Sequence, residues 1–118
     1  MATYSESASL GYSSTEATFT GSGSVTTTQS GTGAILNVQA VGTTYEALAL
    51  GDISSLGALL ITNDDATNYV EVDSSSSFTN FPQKIRPGKS VLLAPQTTTI
   101  YVKANTASCN ITVTAVQL

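Results

Sequence analysis

Gly57-Ala58-Leu59-Leu60-Ile61-Thr62, followed at once by Asn63-Asp64-Asp65-Ala66-Thr67-Asn68 and then by Tyr69-Val70-Glu71-Val72, is the stretch that decides the fold. A short apolar run, a cluster of turn formers and a second run alternating apolar with charged residues read as strand, turn and strand. Downstream, Ile85-Arg86-Pro87-Gly88-Lys89-Ser90 leads into Val91-Leu92-Leu93. Ile100, Val102 and Ala104 then alternate with Tyr101 and Lys103, and Ile111, Val113 and Ala115 with Thr112 and Thr114. Upstream, Ile35, Leu36, Val38 and Val41 form one strand pattern, and Tyr45, Ala47 and Ala49 alternate with Glu46, Leu48 and Leu50 in the next. Roughly eight short strands at this spacing, with no long helical period, predict an all-β chain. The expected architecture is a two-sheet antiparallel β-sandwich, jelly-roll-like.

Local chemistry sharpens the pattern. Ala58 to Ile61 is apolar on both faces, which predicts a central strand covered on each side or one buried by a neighbouring subunit. Tyr69 to Asp73 should have one wet face, with Val70 and Val72 inward and Glu71 and Asp73 outward. Pro87 presets φ at the second position of a β-turn and Gly88 accepts a positive φ at the third, so Ile85-Arg86 and Ser90-Val91 should flank a tight type II reversal. Pro82 marks a bend or a sheet edge, because it cannot donate to a ladder.

Residues 1–33 differ from the body at 34–118. Their apolar residues are sparse, and Gly21-Ser22-Gly23-Ser24 and Ser30-Gly31-Thr32-Gly33 have the composition of connectors. Two readings stay open: edge strands over Thr3 to Leu10 and Thr15 to Thr20, or an arm ordered by a neighbouring subunit.

Composition narrows the function. The 118 residues suit one domain, and only 10% of them are charged, against the usual ~25%. Lys84, Arg86, Lys89 and Lys103 are the only cations, too few and too scattered to neutralise phosphates, so no nucleic-acid partner is expected. The 16 Ser and 19 Thr residues replace charge with hydroxyls, which are less costly than ions to desolvate against another protein. Met1 to Glu6 has no basic region before an apolar core, so no secretory signal is expected, and no apolar run is long enough to span a membrane.

Catalytic chemistry is scarce. With no His and one Cys, a Ser-His-Asp arrangement and zinc sites of Cys and His type are excluded by count. Cys109 reads as a small buried hydrophobe in a strand. Asp64-Asp65 and Glu71/Asp73 do not face each other as a glycosidase pair would, so no enzymatic role and no cofactor are expected. Asn63 to Asn68 is rich in oxygen ligands, but it lacks the spacing of an EF-hand and reads as a hairpin turn capped by its own side chains. Asn110-Ile111-Thr112 reads as a chance match to the glycosylation tripeptide. The five tyrosines, Tyr4, Tyr12, Tyr45, Tyr69 and Tyr101, read as strand-edge residues rather than as a sugar-stacking platform.

Taken together, Leu56-Gly57-Ala58-Leu59-Leu60-Ile61, Asn63 to Val72, Ile85 to Ser90, and Ile100-Tyr101-Val102-Lys103-Ala104-Asn105-Thr106-Ala107 resemble a short jelly-roll structural protein of tailed bacteriophages, over roughly Gly42 to Val116. The resemblance implies a non-enzymatic virion subunit, assembled in the cytoplasm of the bacterial host. Low charge, hydroxyl richness and surplus apolar strand faces favour a decoration or cement protein of the head, a homo-oligomer (trimer or dimer) bound to the major capsid protein. The alternative is a tail or fibre module that binds host surface glycans, and a connector or stopper subunit is a third reading. Expected protein contacts are Tyr4 and Tyr12 in the N-terminal segment, Asp64, Asp65 and Asn68 in one loop, and Arg86, Pro87 and Lys89 in another.

Overall fold

The computed structural model describes residues 2–97 and 99–118, with no helix among them. Ten strands follow in order: β1 (Thr3–Ser13), β2 (Thr18–Thr28), β3 (Ala34–Val41), β4 (Glu46–Ala47), β5 (Leu56–Asn63), β6 (Val70–Asp73), β7 (Gln83–Ile85), β8 (Ser90–Leu93), β9 (Tyr101–Ala104) and β10 (Cys109–Gln117). The last eight pair from the outside inward: β3 with β10, β4 with β9, β5 with β8, β6 with β7. Further pairing of β10 with β5 and of β9 with β6 collects them into two antiparallel sheets of four, ordered β3-β10-β5-β8 and β4-β9-β6-β7. That nested pairing over two facing sheets is a jelly roll. The sandwich thus holds eight strands, and β1 and β2 lie outside it as a sheet of their own.

Alternation places the core between the sheets. Leu59, Ile61, Ile111 and Val113 from one sheet and Val70 and Val102 from the other are all 0% exposed. The predicted central position of Ala58 to Ile61 holds, since β5 lies between β10 and β8. Cys109 is buried in the same core, and burial, with Asp65's charge adding to it, pushes its thiol pKa up. Pro82 precedes β7, an edge strand as expected. The Arg86–Lys89 turn closes with the Lys89 N–H donating to the Arg86 carbonyl at 3.1 Å, and Gly88 has φ +70°.

Five expectations are corrected by pairing and by loop geometry. The Asn63–Asn68 turn is not a hairpin: β5 and β6 belong to different sheets, so the turn carries the chain across the sandwich. The Pro87–Gly88 turn is the tight reversal expected, and it too leads from one sheet to the other, between β7 and β8. The strand expected over Tyr45 to Leu50 shrinks to Glu46–Ala47, because the Ala49 N–H donates to the Gln39 side-chain Oε1 (2.9 Å) instead of extending a ladder. Gly21 to Ser24 is no connector but part of β2, paired to β1 throughout. β1 and β2 are also not edge strands of either sandwich sheet, and β2 begins at Thr18, not Thr15.

Asp73 is the fifth. Strand alternation sends it outward, yet it is 5% exposed, because the 74–82 loop folds back over it. Its carboxylate accepts the backbone N–H groups of Ser74 (2.7 Å), Asn80 (3.0 Å) and Phe81 (3.2 Å). Burial alone would raise its pKa, and these donors outweigh it and hold the carboxyl below its ordinary range. A depressed folded pKa gives a stabilisation that is complete above the unfolded value of ~4 and lost as pH falls toward the folded one. Asp73→Asn should therefore cost about 1–3 kcal/mol at neutral pH, and the gap to the parent protein should narrow below about pH 4 in urea melts.

Candidate functional site

The two faces of the sandwich differ in charge. No charged residue occurs in β3, β5, β8 or β10, so that sheet is neutral on both sides. The outer face of the other sheet is ionic: Glu71 lies between Lys103 (3.3 Å) and Lys84 (3.8 Å), and the lysines also sit over the Phe78 and Tyr69 rings. Tyr45 and Tyr101 meet edge to face in the same layer. The tyrosines thus occupy separate places and form no single platform.

Register assigns the outer row of the neutral sheet to Leu36, Thr114, Leu60 and Leu92, with Val38 in the next row beside Thr112. Leu36 is 73% and Val38 65% exposed, whereas Leu60 is 38% exposed and Ala58 buried. The ribbon of β1 and β2 explains the gradient. Tyr4 lies over Gly57, its hydroxyl 2.6 Å from where a Cβ would stand, and Glu6 and Val25 pass beside Leu92. The β5–β8 half of this face is therefore covered by the ribbon root, which also borders Thr114 and Val116 of β10, and the β3 side is bare.

Two-residue alternation runs along the ribbon. Tyr4, Glu6, Ala8, Leu10 and Tyr12 share a face with Thr27, Val25, Gly23, Gly21 and Phe19. On the other face every residue but Gly11 is Ser or Thr, cross-linked by pairs such as Ser5 with Thr26 at 3.0 Å. Tyr12 and Phe19 stack at 5.1 Å near the tip. The Ser30–Gly33 connector is held against the C-terminal strand: the Gln29 amide donates to the Gln117 carbonyl (2.7 Å), and the Gly31 N–H to the Leu118 carbonyl (3.1 Å). Fixed hydrogen bonds replace the flexibility that its composition suggests.

Of the expected contact residues, the structure brings six together at one end of the sandwich. Asn63, 0% exposed, donates from Nδ2 to the Asn68 and Ile85 carbonyls (2.8 and 2.9 Å) and accepts the Asp65 N–H at Oδ1 (3.0 Å). One buried amide thus joins the loop bearing Asp64, Asp65 and Asn68 to the one bearing Arg86, Pro87 and Lys89. Asp65 caps the Thr67 and Asn68 N–H groups, which lower its pKa, and Asp64 accepts the Thr112 hydroxyl at 2.6 Å. Both carboxylates have protein donors, and no cluster of metal-ligating side chains occurs among the described residues. Tyr4 and Tyr12 lie elsewhere, on the ribbon, whose root at Gly57 is about 20 Å along β5 from Asn63. Asn63 escapes sequence reading because it sits in a run where every Asn and Asp looks like a turn former.

A cavity of about 680 Å³ opens between the sheets near the 74–82 loop, lined by Val72, Asn80, Phe81, Gln83, Leu93 and Gln96, among others. Phe81 stands at its rim, 77% exposed. No helix of the described residues is long and apolar enough to cross a membrane. No protein-family model, no curated protein and no solved structure matches the chain.

Proposed function

We propose that this protein is a non-enzymatic structural subunit of a bacteriophage virion, a decoration or cement protein that binds the assembled head shell and stabilises it. The observation that carries the reading is the neutral sheet, whose outer face leaves Leu36 and Val38 bare on a jelly roll with no reactive constellation among its described residues. Such a molecule acts through the surfaces it buries, at roughly 25 cal/mol per Å² of apolar area, and repetition over a symmetric lattice multiplies each modest contact. The loop end locked by Asn63 is rigid and carries Arg86 and Lys89, which have no ion-pair partner among the described residues. It is the end assigned to the major capsid protein.

Purified protein should co-sediment with empty expanded capsids, and virions lacking it should lose integrity at lower temperature than complete ones. Arg86→Glu with Lys89→Glu should weaken co-sedimentation without changing the melting of the free protein. Absence of binding to expanded capsids, with virion heat resistance unaltered by its loss, would remove the reading.

The cavity beside Phe81 supports the second reading, a tail or fibre module for host glycans. An exposed ring flanked by the Asn80, Gln83 and Gln96 amides offers a sugar both a stacking face and hydrogen-bond partners. A glycan array separates the two, since saccharide binding lost on Phe81→Ala belongs to the second alone.

A further inference from the structure

The ribbon leaves an interface half made. A strand pair of eleven residues a side spans about 37 Å, whereas a four-stranded sheet is less than 20 Å wide. Since the root crosses β5 and reaches Leu92 on the edge strand β8, Leu10, Tyr12 and Phe19 lie beyond that edge, 74%, 50% and 60% exposed. An uncovered two-stranded ribbon is marginal in water, and Gly11, Gly21 and Gly23 weaken this one further.

The overall dimensions agree. The Cα radius of gyration is 15.3 Å, against about 13.5 Å for a compact chain of this length. Accessible surface is 7056 Å², about 1,000 Å² more than a compact monomer of this mass exposes. That surplus is comparable to the ~800 Å² per partner of a stable protein interface.

We infer that the ribbon tip of one copy docks on the bare β3 side of the neutral sheet's outer face, around Leu36 and Val38, in a second copy. Three observations select this occupant. The root of the same ribbon face already lies on the outer face of the same sheet, with Tyr4 over Gly57, so the new contact continues an existing one across the molecule. The two apposed faces carry no charge: the tip face presents Ala8, Leu10, Tyr12 and Phe19, with Glu16 in the turn beyond them, and the receiving face Leu36 and Val38 among Thr112 and Thr114. The tip leaves past β8 while the bare half-face lies at the opposite edge, β3, so each copy gives on one side and receives on the other. Head-to-tail contacts of that kind close into a ring when the rotation permits. The stacked Tyr12–Phe19 pair is the aromatic anchor, entering between Leu36 and Val38. The contact goes beyond shell binding and is made by the protein alone.

The test uses the full chain in light scattering coupled to size exclusion. The parent protein should run as an oligomer. A tip variant, Tyr12→Ser with Phe19→Ser, and a face variant, Leu36→Ser with Val38→Ser, should each run as a monomer; all four positions are at least half exposed, so thermal melting confirms that the sandwich survives. Mixed one to one, the two variants should form a heterodimer, because one intact tip still meets one intact face. A monomeric parent at every concentration, a tip variant that keeps the parent mass, or a mixture that stays monomeric would overturn the inference.

Discussion

Asn63→Leu is expected to lower unfolding stability by about 3–5 kcal/mol, a large part of the 5–15 kcal/mol typical of a domain. The replacement is close in volume and more apolar, so packing alone would not predict such a loss. The cost comes from three backbone partners, one buried and two half-buried: the Asn68 and Ile85 carbonyls lose their donor and the Asp65 N–H loses its acceptor. Each group, left without a partner away from water, forfeits its desolvation free energy. Because Asn68 belongs to the β5–β6 connection and Ile85 to the end of β7, the loss should also loosen the join between the two loops, leaving the backbone bonds from the Asn63 N–H to Lys89 and from the Gly88 N–H to Asn63. Urea melts should show a lower midpoint with an unchanged slope, and the Asp65 amide should exchange its hydrogen much faster. A loss below about 1 kcal/mol would mean that water replaces the amide at no great cost, and that the loop end is not locked as described.

Gly57→Val is expected to cost about 2–3 kcal/mol and to expose residues 1–33 to protease. Gly57 is buried in β5, and a Cβ there would stand 2.6 Å from the Tyr4 hydroxyl and 3.1 Å from the Leu118 backbone N and Cα. The tyrosine tip can move aside, whereas the backbone beside the bulge at Val116/Gln117 cannot move without disturbing the end of β10. Adding Tyr4→Ser should therefore recover only part of the loss, and the coupling measured in that double-mutant cycle gives the ribbon's share. If Gly57→Val melts like the parent and its N-terminal segment resists protease equally, the ribbon root is not seated on β5.

Much of this fold is legible in the residue pattern, and what is missing has a common cause. Val70 and Val72, Ile100 to Ala104 and Ile111 to Ala115 announce themselves because period-two alternation and β-branching are local properties. Which strands share a sheet is not local, so the turn formers at Asn63–Asn68 read as a hairpin although they carry the chain between layers. The ribbon is legible in part: strands read over Thr3 to Leu10 and Thr15 to Thr20, whereas Ser and Gly over Gly21 to Ser24 imitate a linker inside β2. Asp73 misled for the opposite reason. Its alternation is correct, and only the return of the 74–82 loop turns an outward carboxylate into a buried one. In the candidate surfaces, loop composition pointed to Asp64 and Pro87 separately, while their union through Asn63 and the bare half-face at Leu36 needed three dimensions.

The nesting of β3 with β10 around every other pair also sets the order in which the molecule comes together. Within the sandwich only β6 and β7 are near neighbours in the chain and in one sheet, so its earliest pairing can form there, and each later pair must close a longer loop than the one before. The outermost pair forms last, and the docked ribbon root leans on the end of β10. During synthesis the sandwich stays open until the last strand has left the ribosome, with Leu59 and Ile61 in search of a neighbour. A scarcity of charge gives that interval little protection against premature association.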